Sequence, residues 1–80
     1  MQYLVLLDAI DEPGFEGYYY AHIPALDLTT QGKGIEGAMK AARDLAELWV
    51  AEKHSRGEVV PQESGALVAR IEIPDAVLSP

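Results

Sequence analysis

Between residues 35 and 49 the apolar residues Ile35, Ala38, Met39, Ala42, Leu45, Ala46 and Trp49 recur at three- and four-residue steps, and this one stripe limits what the chain can fold into. The spacing predicts a helix with one apolar face. The opposite face carries charge, with Glu36–Lys40, Lys40–Asp44 and Arg43–Glu47 each four apart and able to support the helix by a few tenths of a kcal/mol per pair. Gly34 is a tolerable N-cap, and Arg56-Gly57 supplies a basic last turn followed by a residue free to turn left-handed. Gly37, which lowers helix propensity by roughly 1 kcal/mol against alanine, implies either close packing or a soft helix start.

Before the helix the pattern is that of strands. Tyr3 to Leu7 is a continuous apolar run closed by Asp8 and a turn-forming Asp11-Glu12-Pro13-Gly14, which predicts a strand over Gln2 to Ala9. Tyr18 to Ile23 is aromatic-rich and stops at Pro24, which has no amide to donate. Leu28 to Gln31 is short, rich in threonine and closed by Gly32, and is expected as a third strand. After the helix and a polar connection from Glu58 to Gly65, alternation returns. Leu67, Ala69, Ile71 and Ile73 fall on one face, with Ala66, Val68, Arg70 and Glu72 on the other, until Pro74.

These elements predict one α+β domain over residues 1–80 with the order β-β-β-α-β. Short turns make the first three strands an antiparallel meander, and the crossover helix brings the last strand beside the first. The expected spatial order is 3-2-1-4, with the Tyr3–Leu7 segment central. One helix can cover only one face of such a sheet, and both faces are apolar in the middle. A symmetric homo-oligomer, most simply a dimer, is therefore expected, with Tyr3, Val5, Leu7, Tyr18 and Tyr20 as its interface.

Composition narrows the function. Thirteen acidic against six basic side chains give a net charge of −7, which repels phosphate backbones and attracts basic protein surfaces, so direct nucleic-acid binding is not expected. Cysteine is absent, which removes disulfides and thiolate metal sites. The opening Met1-Gln2-Tyr3-Leu4-Val5 lacks the basic lead of a secretory signal, and no apolar run approaches the ~20 residues of a membrane span; a cytoplasmic location is the expectation.

Candidates for catalysis are few. His22 alternates with Tyr20 and reads as a sheet-face histidine, while His54 reads as a cation at the negative end of the helix. Gly32-Lys33-Gly34 lacks the longer spacing of nucleotide-binding loops. Carboxylates offer one catalytic alternative. Asp8 and Asp75 converge if the first and last strands pair, with Glu47 as a third ligand, as in metal-dependent nucleases. The simpler reading keeps Glu47 as a partner for Arg43, and no metal or other cofactor is expected.

The run Gly17-Tyr18-Tyr19-Tyr20-Ala21-His22-Ile23-Pro24-Ala25-Leu26, then Thr30-Gln31-Gly32, then Ile35-Glu36-Gly37-Ala38 and the helix, resembles the HicB antitoxin family and its single-domain relatives. Pro61 falls where members place a proline after the helix, whereas Ala25-Leu26-Asp27-Leu28 lacks the Pro-Gly turn common in the family and is shorter. The resemblance implies a partial ribonuclease-H-like fold without that enzyme's active site. It also implies a non-catalytic role in covering a small basic HicA-type toxin that cleaves RNA. Full antitoxins of the family add a C-terminal DNA-binding domain, and none is expected in residues 1–80. Within that reading Asp11, Glu12 and Glu16 are expected to steer the partner and Tyr18 to anchor it. An orphan oligomerisation domain is the remaining alternative.

Overall fold

The computed structural model describes residues 1–78. Strand β1 (Leu6–Ala9) pairs antiparallel with β2 (Tyr18–Ile23), and β2 pairs antiparallel with β3 (Leu28–Lys33). The sheet order is β1-β2-β3, and helix α1 (Gly34–Ser55) lies across β2 and β3. The chain is thus a three-stranded antiparallel sheet with one helix on one face, an α+β arrangement. A single turn of 3-10 helix, Pro24–Leu26, links β2 to β3, and a second spans Asp75–Leu78.

The core forms where small residues let the helix approach the sheet. Ala38 and Ala42 of α1 are buried against Ala21 and Ile23 of β2 and against Leu26, with Tyr3, Val5, Tyr19, Leu28, Ala46, Trp49 and Val50 packed around them. The predicted stripe is therefore the packing face, except that Ile35 at its start is exposed. At the other end Trp49 also takes the Lys53 ammonium over its ring at 5.2 Å. Of the three predicted charge pairs, Lys40–Asp44 closes at 2.8 Å, while Arg56 pairs with Glu52 at 2.7 Å one turn before the helix end.

Two glycines explain the β3–α1 junction. Gly34 has φ +70°, a left-handed conformation that turns the chain from strand to helix while its N–H donates to the Gly17 carbonyl at 2.7 Å. The turn, rather than a capping side chain, opens the helix; none bonds there. Gly32 lies inside β3 opposite Tyr19, so the third strand runs two residues beyond the expected Gln31. Its missing side chain leaves room for the first helical turn, since a Cβ there would overlap the Gly37 carbonyl. The helix start does pack closely here, but the glycine that this packing requires is Gly32: a Cβ at Gly37 would meet Gly32 at 3.6 Å, an ordinary contact.

Two expectations are corrected. The first strand begins at Leu6 rather than Gln2, because its ladder starts at the Leu6–His22 pair and β2 ends at Ile23, before Pro24. Beyond that point Leu4 N–H donates to Glu63 Oε1 at 2.7 Å and Tyr3 Oη donates to the Pro61 carbonyl at 2.6 Å. More importantly, the fourth strand is not in the sheet. Among the described residues, 59–74 form no ladder, and Leu67, Val68, Ile71 and Ile73 are exposed. The segment follows the body as far as Glu63 and then turns at Gly65, where φ is +70°. Among the described residues β1 pairs with β2 alone, so it is an edge strand, not the centre of the sheet, and all four of its residues are exposed.

Candidate functional site

Cross-strand register sorts the side chains into two faces. Leu7 and Ala9 pair with Ala21 and Tyr19, and Leu28, Thr30 and Gly32 complete the face under the helix. Leu6, Asp8, Tyr18, Tyr20, His22, Thr29, Gln31 and Lys33 form the other face, which no element of the described chain covers. Along β3 the burial alternates accordingly, half-buried on the helix side and exposed on the open side.

On the open face Tyr20 stands between Asp8 and Gln31, and His22 lies between Leu6 and Thr29. His22 Nδ1 and Thr29 Oγ1 are 2.7 Å apart, so the histidine is a sheet-face residue held by a cross-strand hydrogen bond. Tyr18 begins the strand, half-buried, with its ring edge-on to Phe15 at a centroid distance of 5.8 Å. Phe15 was missed in the sequence, where it appears only as a residue leading into the strand. Its ring fixes the Tyr18 ring by the preference of aromatic pairs for T-shaped contact.

Beside Tyr18 lies the β1–β2 turn, which carries Asp11, Glu12 and Glu16, all exposed. The turn is ordered by its own backbone. Phe15 N–H donates to the Glu12 carbonyl (3.1 Å), Tyr18 N–H to the Phe15 carbonyl (2.9 Å), and Ile10 N–H to the Tyr18 carbonyl (2.9 Å). The backbone amides of Glu16 itself and then of Gly14 hold the Glu16 carboxyl below its ordinary range, so this residue stays ionised further into acid than a free glutamate. The arrangement sets three carboxylates on a hydrogen-bonded turn at the end of an aromatic strand.

No protein-family model, no curated protein and no solved structure matches the chain.

The five residues expected at an oligomer interface do not share one face. Tyr18 and Tyr20 lie on the open face, whereas Tyr3 and Val5 pack against the core and Leu7 pairs with Ala21 on the helix side. Nor are the three nuclease candidates brought together. Asp8 points from the open face, Glu47 lines a groove on the helix side, and Asp75 opens the 3-10 turn at the far end of the exposed segment. Among the described residues no three of His, Asp or Glu are grouped to hold a metal ion, and no helix is long and apolar enough to cross a membrane.

That groove, of about 900 Å³, is a second feature absent from the sequence reading. It runs between the N-terminal stretch and α1, over Tyr3, Val5, Ile23, Met39, Ala46 and Val50, with Arg43, Glu47 and His54 at its rim. It lies off the N-terminal end of β1, where the stretch before the strand passes α1, and no residue of Leu6–Ala9 lines it.

Proposed function

We propose that the chain is a non-catalytic, antitoxin-like binding module of the cytoplasm that associates with itself and neutralises a small basic HicA-type ribonuclease by covering it. The observation that carries this reading is the uncovered sheet face with Tyr18 and Tyr20 on it and the ordered carboxylates of Asp11, Glu12 and Glu16 at its end. A rigid aromatic strand supplies contact area at small entropic cost, and a net charge of −7 draws in a cationic partner. The resemblance of residues 17–38 to HicB antitoxins supports the same reading. It also supports the four-stranded, partial ribonuclease-H-like sheet of order 3-2-1-4 as the assembled form.

The test is inhibition of RNA cleavage. Adding the chain to a HicA-type toxin from a neighbouring reading frame is expected to abolish cleavage of labelled RNA at stoichiometric amounts. The combined change Asp11→Asn, Glu12→Gln, Glu16→Gln should slow association and weaken its salt dependence, while Tyr18→Ala should speed dissociation. Undiminished cleavage at large molar excess of the chain overturns the proposal.

A further inference from the structure

The exposed segment 66–73 and the bare edge of β1 are complementary. We infer that two copies of this chain exchange these segments, each laying its Ala66–Ile73 arm along the β1 edge of its partner and turning one apolar face of the arm into the partner's groove. This deepens the self-association part of the reading above and is independent of any toxin.

Four observations lead to it. The arm alternates, with Leu67, Ala69, Ile71 and Ile73 at every second position, the pattern of a strand with one buried face, yet Leu67 is 92% and Ile71 86% exposed. An apolar strand pattern left in water is a segment without its partner. Next, the arm is directed off the body. Residues 61 and 63 are tied to Tyr3 and Leu4, Gly65 turns left-handed, and the Cα radius of gyration reaches 16.2 Å, where a compact domain of this length has about 12 Å.

Third, every copy carries the matching acceptor: an edge strand paired on one side only, led into by a stretch whose Val5 lines an apolar groove together with Met39 and Val50. Added strands recognise such an edge through their backbone and select it through alternate side chains. Fourth, charge permits the match. Copies of net charge −7 repel one another, but the arm carries only Arg70 and Glu72 and is neutral, so it can approach a second acidic body. Because each copy gives and receives the same element, the exchange closes as a two-fold dimer and leaves neither β1 edge free. Pro74 then ends the added strand.

The test uses the full-length chain and light scattering at micromolar concentration. Twice 8.7 kDa is expected, falling to 8.7 kDa in the Ile71→Asp, Ile73→Asp variant with its helical circular dichroism unchanged. A dimer that survives those substitutions overturns arm exchange while leaving self-association standing, as contact through the tyrosine face would; a wild-type monomer overturns both. The chain has no cysteine, which allows a second measurement by cross-linking. In the Asp8→Cys, Arg70→Cys variant a short bis-maleimide is expected to join two chains. Links confined to single chains would place the arm on its own edge, and absence of any link would place it on neither; either result overturns the proposal.

Discussion

Replacing Gly32 with alanine tests the packing of helix on sheet at its tightest point. The added methyl would overlap the Gly37 carbonyl and lie 2.6 Å from Ala38 N, whereas ordinary contact begins at 3.4 Å, so α1 must retreat by about 0.8 Å at that atom. Both sides of the contact are backbone, in β3 and in the first turn of α1, and no rotamer change can relieve it. Overpacking of this kind costs roughly 1–3 kcal/mol, and rigid walls place Gly32→Ala toward 3. For a domain of this size that lowers Tm by about 10–20 °C. Gly37→Ala is the control. Its Cβ would meet Gly32 at 3.6 Å, an ordinary contact, and the helix gains about 0.5–1 kcal/mol in propensity. Thermal unfolding followed by far-ultraviolet circular dichroism should show shifts of opposite sign. A Gly32→Ala protein within about 0.5 kcal/mol of the parent would refute this account of the junction.

Other perturbations follow from the same structure. Ile23 is the largest fully buried side chain, at 2% exposure, so Ile23→Ala should cost about 2–5 kcal/mol in urea unfolding. Asp27, at φ +52°, caps the 3-10 turn in a left-handed conformation; Asp27→Val should cost about 1–2 kcal/mol by the same measurement, while Asp27→Gly should fall within about 0.5. The folded pKa of Glu16 lies below its ordinary 4.5, so its contribution to stability is complete above that value and disappears as pH falls through the lowered one. Carboxyl chemical shifts should show Glu16 titrating below the ordinary glutamate value. Lys40 is raised, by its hydrogen bond to Asp44 and then by that residue's charge. Its contribution is therefore present below the unfolded value and lost as pH rises through the raised folded one, and Asp44→Asn should remove the shift.

The helix and the three-strand meander were legible because their signals are local. The stripe from Ala38 to Trp49 states which side of α1 faces the sheet, and Pro24 ends β2 by lacking a donor. Alternation within each strand was legible too, but it does not say how the faces of two strands match. Only the Leu7–Ala21 register shows that Tyr3, Val5 and Leu7 belong with Ala21 and Ile23, and not with Tyr18 and Tyr20. Hydrophobicity likewise placed Tyr3–Leu7 at the centre of the sheet, although position in a sheet is set by neighbours, and the neighbour expected there stands away from the body. The alternation of Leu67, Ala69, Ile71 and Ile73 identifies a segment suited to pairing. It carries no information on which chain supplies the edge. The turn carboxylates were visible in sequence, and the Phe15–Tyr18 contact is local but set by the geometry of the turn, whereas the groove between the N-terminal stretch and α1 arises only from the approach of distant elements.

Amide hydrogen exchange across residues 66–73, recorded at high protein concentration and again after dilution, is the most direct measurement of whether this chain completes its sheet by meeting another polypeptide. Slow exchange in the arm and in Leu6–Ala9 that becomes fast together on dilution is the predicted result. Fast exchange in the arm at every concentration, with β2, β3 and α1 protected, would contradict it.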